Sequence, residues 1–278
     1  MWQDSRRRLL RNKAAVLAMA LLAIIAVMAL LAPYLSIHAY DEIYWERIAA
    51  PPDLANHHWF GTDGNGRDLF VRTLYGARVS LAVGFVATAV ALVIGVTWGA
   101  VAGYLGGRVD NVMMRIVDVL YSLPFMFFVI ILMVMFGRHI ILIFVALGAV
   151  EWLTMARIVR GQTLAIKGRE FIEAARATGV GRFTIIRRHI VPNLLGPVIV
   201  YVTLTIPHVI LTESFLSFLG LGVQEPLTSW GALISEGAGQ MESAPWMLIF
   251  PAIFLAVTLF CFNFIGDGLR DALDPKDR

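Results

Sequence analysis

The sequence predicts an all-α, polytopic membrane protein with six transmembrane helices, and three observations carry that expectation. Hydrophobic residues make up 58% of the chain and charged residues 15%, far from the about 45–50% apolar and roughly 25% charged residues of soluble domains. The apolar residues gather into runs close to the about 20 residues that one span requires. The basic residues fall mostly on one side of those runs.

The chain starts with a basic tail, 1–13, carrying Arg6, Arg7, Arg8, Arg11 and Lys13, and continues into a first span, 14–35, in which Ala14 to Ala32 has no charged or polar side chain. A cleavable signal peptide is the competing reading, but its apolar region is usually about 7–15 residues long and closes at an Ala-x-Ala-like site. The segment 36–79 reads as external, with turn residues at Ala50-Pro51-Pro52-Asp53 and Gly61-Thr62-Asp63-Gly64-Asn65-Gly66. A core, 80–268, then holds five more spans at 80–103, 112–136, 140–160, 194–222 and 247–266, with a cytoplasmic loop at 161–193. The external piece 223–246 carries Trp230 and Trp246 as interfacial anchors, and a tail, 269–278, follows the last span.

With the N-terminus in the cytoplasm, 18 of the 23 Lys and Arg residues lie inside and only Arg47, Arg67, Arg72, Arg78 and Arg138 outside. That is the asymmetry of the positive-inside rule, so both termini are expected in the cytoplasm. The net charge of +3 thus reflects topology and gives no reason to expect nucleic acid. The single cysteine, Cys261, excludes an intrachain disulfide and a cysteine-cluster metal site.

Span two carries Ala91, Gly95, Gly99 and Gly103 at four-residue spacing, which puts small residues on one helix face and lets a second backbone approach. Glycine is also simply common in membrane helices. Pro124, Pro197, Pro207 and Pro251 interrupt later spans and can bend them, for a pathway that opens or as a static kink. Ionisable residues within spans are costly in lipid and should face protein or water. Arg115 and Asp118, one turn apart, suggest a local ion pair. Glu151 and Glu213 have no such neighbour and either line a substrate path or hydrogen-bond to another helix; His208, beside Pro207, is the weakest of these three path candidates.

The loop 161–193 is the most informative segment. Ile166 to Gly179 reads as a short helix, with Glu170 and Glu173 favouring its positive N-terminal end and Gly179 able to take the left-handed conformation that stops it. Phe171, Ala174, Ala175 and Thr178 follow i, i+3, i+4, i+7, giving a smooth face with Phe171 protruding. Pro192 is expected to close the segment before span five. An amphipathic helix lying on lipid is the alternative, and its basic residues fit that.

At Glu173-Ala174-Ala175, Gly179 and His189-Ile190-Val191-Pro192 the chain resembles the permease subunits of ABC importers, whose cytoplasmic signature is Glu-Ala-Ala, three residues, Gly, nine residues, then Ile-x-Leu-Pro. His189 and Val191 depart from the general form. Arg188 to Asn193 is similar to the version in the peptide and nickel branch, as are Phe60-Gly61-Thr62-Asp63, Tyr75 to Leu81, Ser214 to Gly222 and Gly268 to Pro275. The likeness covers nearly the whole chain and is strongest to the second permease subunit of oligopeptide systems. It implies a type I ABC importer permease fold, location in the inner (cytoplasmic) membrane, and a coupling helix built from Glu170, Phe171, Glu173, Ala174, Ala175, Thr178 and Gly179 that docks on an ATPase. It also implies partners: a second permease subunit, two ATPases, an external binding protein, lipid and a peptide substrate. Dipeptides, nickel or another small solute are the rival cargoes, and a channel without an ATPase is the rival class.

The chain is expected to be non-catalytic. No phosphate-cradling glycine loop surrounds Lys13, Lys167 or Lys276, so ATP and magnesium belong on the partner ATPases and no cofactor on this chain. Asp63 to Arg67 resembles a calcium loop only faintly and reads as a turn, and no His-Glu-x-x-His or Gly-x-Ser-Gly occurs, so no metal or catalytic residue is expected.

Overall fold

The computed structural model describes residues 2–137 and 140–273. Arg138, counted above as external, and residues 274–278 of the tail lie outside them. Helix α1 (Trp2–Arg11) turns at Asn12 into α2 (Lys13–Leu30), the Asn12 side chain accepting from the Ala15 backbone at 3.2 Å as an N-cap. The basic tail is therefore helical, and it lies against the last helix, where Gly268 leaves no room for a side chain beside Ala15. Helix α2 stops short of the predicted residue 35. A single turn, α3 (Ala32–Leu35), follows it, with Pro33 in that turn. Arg78 closes the end of α2 by donating to the carbonyls of Ala29 and, at 2.7 Å, Leu30.

Helix α4 (Leu69–Leu105) runs for 37 residues and starts well before the predicted residue 80. Asp68 caps it, accepting from Val71 at 2.8 Å. The charges that make 69–79 look external in the sequence are neutralised inside the fold: Arg72 is 1% exposed and lies beside Asp63 and Glu236. The third predicted span is not one helix. It is α5 (Gly107–Ser122) and α6 (Phe125–Phe136), bent by 79°. Pro124 causes the break, because it drives the preceding Leu123 out of helical geometry, to φ −75° and ψ 129°.

Helix α7 (Ile140–Lys167) extends past the predicted end at 160 and leads into α8 (Glu170–Ala177). Then α9 (Arg182–Ile185), a π turn at Ile186–Ile190 and α10 (Val191–Phe218) join into one helical rod, Arg182–Phe218. Pro192 therefore sits in the first turn of α10 and closes nothing. The π turn shifts the backbone pairing by one residue just ahead of it, with Val191 N–H bonding Ile186 O. Helices α11 (Trp230–Gly239) and α12 (Trp246–Leu273) complete the bundle. Among the described residues, five helices are long and apolar enough to cross a membrane, or six spans if the bent α5–α6 pair counts as one.

Among the described helices, α4 and α7 share the most extensive contact. A Cβ on Gly95 would meet Met155 Cβ at 2.5 Å, one on Gly103 would meet Thr163 Cβ at 2.8 Å, and one on Gly99 would strike the Ala156 carbonyl. Ala91 is fully buried in the same seam. The four small residues thus let two backbones meet along about four turns, and side-chain packing is replaced by direct backbone contact.

Candidate functional site

Helix α8 rests on a hydrophobic cluster at one end of the bundle. Ile172 is fully buried and Ala175 is 8% exposed, packed with Tyr104 of α4, Val159 of α7, and Ile185 and Ile190 of the rod. The inward face is therefore 172/175. This corrects the contact face expected from the sequence: Ala175 turns into the chain's own core, while Glu170, Phe171, Glu173, Ala174, Thr178 and Gly179 are exposed. Phe171 is 43% exposed, as a large apolar side chain on an open surface. Periodicity alone cannot tell which of two apolar stripes is covered, and here the β-branched Ile172 won the core over Phe171.

The end of α8 is a Schellman motif. Gly179 at φ +79° donates to Arg176 O at 3.0 Å, and Val180 donates to Ala175 O at 3.1 Å. Glu170 and Glu173 stand in the first turn, where the helix dipole favours them. Tyr104 ties the surroundings together. Its hydroxyl accepts from Arg176 Nε at 3.3 Å, the Arg176 guanidinium lies over its ring at 5.1 Å, and Lys167 from the end of α7 donates to Gly103 O at 3.4 Å. So α8 is fixed at its base to α4, α7 and the rod, with its outer face open.

In the middle of the bundle the predicted path residues separate. Glu213 is fully buried among the chain's own helices, accepting from Ser217 Oγ at 2.7 Å and from Ser80 Oγ at 3.5 Å. Ser80 in turn accepts from the backbone of Trp230. Glu213 is a hydrogen-bonding post between α4, α10 and α11, which corrects its candidacy for the path. Glu151 and His208, by contrast, meet across α7 and α10, with Oε1 and Nε2 3.5 Å apart. They line a cavity of about 590 Å³ at the α5–α6 break, with Tyr121, Ser122, Pro124 and Phe128. Asp118 pairs with Arg157 of α7 at 2.9 Å, so the local pair expected with Arg115 gives way to an interhelical one. Arg160 is held by Asp110 through two bonds of 2.6 and 2.7 Å.

At the end opposite α8 lies a charged cluster that sequence reasoning missed. Asp63 accepts from the backbones of Asn65 and Arg67 and from Arg67 Nε at 2.8 Å, which makes Asp63 to Arg67 an ion-paired turn. Arg67 Nη2 also reaches Glu225 at 2.7 Å, and the Arg72 guanidinium stands 3.2 Å from Asp63 and 3.6 Å from Glu236. The bond from Arg67 holds the Glu225 carboxyl below its ordinary range, whereas burial pushes the Glu236 carboxyl up. Nearby, His38, His58 and Asp68 bring ligand-type atoms within 4.8 Å of one another. They already bond within the protein: His58 Nδ1 with Asp68 at 2.9 Å, His38 Nδ1 with the Tyr44 hydroxyl at 2.7 Å and His38 Nε2 with Asn56 O at 3.0 Å. The two imidazoles stack at 4.1 Å with nearly parallel planes, so their in-plane lone pairs do not converge. The cluster staples the segment 38–68, and no short spacing in the sequence announces it.

Residues 95–278 match the family model described as binding-protein-dependent transport system inner membrane component. The chain belongs to that permease family. Residues 1–52 of this permease also match a model described as the N-terminal transmembrane domain of oligopeptide transport permease C. It is 61% identical, over its whole length and 92% of the relative's, to the oligopeptide transport system permease protein OppC of Escherichia coli (strain K12). It is 57% identical to OppC of Haemophilus influenzae, over its whole length and 89% of the relative's. To the dipeptide transport system permease protein DppC of Bacillus subtilis (strain 168) it is 49% identical, over 99% of this permease and 86% of that protein. A solved structure titled as inward-facing conformations of the MetNI methionine ABC transporter superposes with a TM-score of 0.59 at 20% identity, over 74% of this permease and 96% of that chain. That likeness is one of fold alone; the family match and the apolar helices make the chain a multi-pass inner-membrane permease.

Proposed function

We propose that this permease is one of two membrane subunits of an ATP-driven importer of oligopeptides, and that α8 is the element on which a separate ATPase docks. The observation that carries the reading is the state of α8: a helix fixed at its base by Ile172, Ala175 and the Tyr104 contacts, yet presenting Phe171, Ala174 and Thr178 outward. An exposed apolar face on a rigid mount suits a partner groove, and lateral movement of that partner reaches both α7 and the rod directly. The relatives whose names specify oligopeptides span the whole chain and support the cargo. In this reading α8 and both termini are cytoplasmic, the charged cluster faces outward toward a binding protein that supplies substrate, and the pathway lies between this subunit and the second permease. ATP and magnesium are held by the ATPases, and residues 161–193 act as the coupling loop of the permease core 80–268.

Purification of the assembled complex tests the docking claim. Glu173→Lys reverses a charge on the exposed face, and Gly179→Pro denies the stop of α8 its left-handed φ of +79°. Both are expected to abolish co-purification of the ATPases while the variant subunit still reaches the membrane. An unchanged complex from both variants would remove α8 as the docking element. Uptake of labelled tri- to pentapeptides against dipeptides by the intact system then fixes the cargo.

A further inference from the structure

The cavity at the α5–α6 break holds a charge that the rest of the bundle leaves uncompensated. Glu151 is largely covered, its side chain 11% exposed; its ion-pair contact is the 3.5 Å approach of His208, an imidazole whose own side chain is 67% exposed, and Tyr201, an uncharged phenol, is near enough to sense its charge. The neighbouring cations are committed elsewhere. Arg157 is paired with Asp118 and stacked at 4.2 Å on Tyr121, and Arg160 is held by Asp110. A carboxylate among apolar groups such as Phe125, Phe128 and Leu153, with a cavity of about 590 Å³ before it, lies within the roughly 300–1,000 Å³ of sites that take small ligands. Helix α10 presents His208 on an otherwise apolar exposed stripe with Leu204, Leu211 and Phe215, so an ionisable pair here must meet water or protein and not lipid.

We infer that Glu151 is a subsite for a primary ammonium, the α-amino end of a passing peptide, with His208 as the group that covers the carboxylate when the site is empty. This rests on the import reading above and deepens it. The chemistry selects the ligand. A carrier of varied peptides can rely only on main-chain groups, and of the two charged ends only the ammonium complements a carboxylate. The long Glu151–His208 separation suits displacement, because an N–H⁺···O⁻ bond of about 2.7–2.9 Å is the stronger contact.

The test uses the assembled transporter in membranes and needs no knowledge of the natural peptide. Ser122 lines the cavity, and Cys261, the single cysteine of this chain, is buried, so labelling is read as the excess over the complex without the Ser122→Cys substitution. The thiol of Ser122→Cys is labelled with 2-aminoethyl methanethiosulfonate, a primary ammonium, and with the uncharged methyl reagent. The cationic reagent is expected to gain about tenfold relative to the neutral one, as a partly screened charge a few ångströms away would give. That gain should vanish in Glu151→Gln, persist in Glu151→Asp and persist in His208→Gln. Uptake of free-amine peptides should fall in Glu151→Gln with KM rising more than the maximal rate falls. An unreactive thiol, or a gain indifferent to Glu151→Gln, overturns the subsite. Failure of the import reading shows separately, as wild-type complexes that label normally but move no peptide on ATP addition.

Discussion

At the α8 end of the bundle the core contacts are apolar, with Ile172, Ala175, Ile185 and Ile190 closed under a helix whose outer face stays bare and polar contacts only at its edge, from Arg176 and Lys167. At the opposite end Asp63, Arg67, Arg72, Glu225 and Glu236 tie loop, helix and loop together through ion pairs, two of the five being almost fully buried arginines. Apolar packing is non-directional and tolerates small slides, so it suits the end on which the proposed docking would push. Buried charge pairs are costly to separate and fix one geometry, so they suit an end that must keep its shape until something displaces it.

The largest effect should come from removing a buried charge. Arg72→Met removes the cation between Asp63 and Glu236, and because Arg67 still pairs with Asp63 the expected cost is about 3 kcal/mol, the low end for a broken buried pair, read as a lowered unfolding temperature of the purified subunit in detergent. An unchanged transition would mean that Arg72 is held by shape and not by charge. Ile172→Ala opens a cavity beneath α8 and should cost about 2 kcal/mol, at the low end for such truncations because the site lies near the surface and can collapse. Its signature is local. Hydrogen exchange should speed in 170–180 while the seam between α4 and α7 stays protected; uniform loss of protection would erase the contrast between the two ends.

The smallest effect is a pH dependence. The Glu225 carboxyl is held below its ordinary value, chiefly by the bond from Arg67. Its contribution is therefore complete above the ordinary carboxylate pKa of 4.5 and is lost as pH falls through the lower, folded value. Because the side chain is 57% exposed, the loss should stay below about 1 kcal/mol. Glu225→Gln should flatten that part of the stability profile, and an identical acid limb in the variant would assign it to other groups.

Much of this was legible in the sequence. Hydropathy located the spans, because lipid solvation is written in composition, and the spacing of Ala91, Gly95, Gly99 and Gly103 named the face that lies in the α4–α7 seam. The stop at Gly179 was legible because only backbone geometry is involved. What failed depended on partners distant in the chain. Arg72 reads as a surface charge until Asp63 and Glu236 are placed beside it, and this moved the start of α4. Glu151 reads as solitary until α7 and α10 are packed. Pro124 did carry the signal for the break in the third span, but an apolar window averages across it. Ala175 went to the wrong face because a helix with two apolar stripes does not say which one its own chain will cover.

The joined helix from Arg182 to Phe218 has a further mechanical meaning. It starts beside the base of α8 and carries His208 some 26 residues later, about 40 Å along at 1.5 Å per residue. No loop interrupts it; the π turn lies at its start, and Pro197 and Pro207 are the two points farther along where a backbone hydrogen bond is missing. Such a pushrod carries a tilt from one end toward the imidazole through its own backbone, with the give confined to the two proline sites, one of them next to His208.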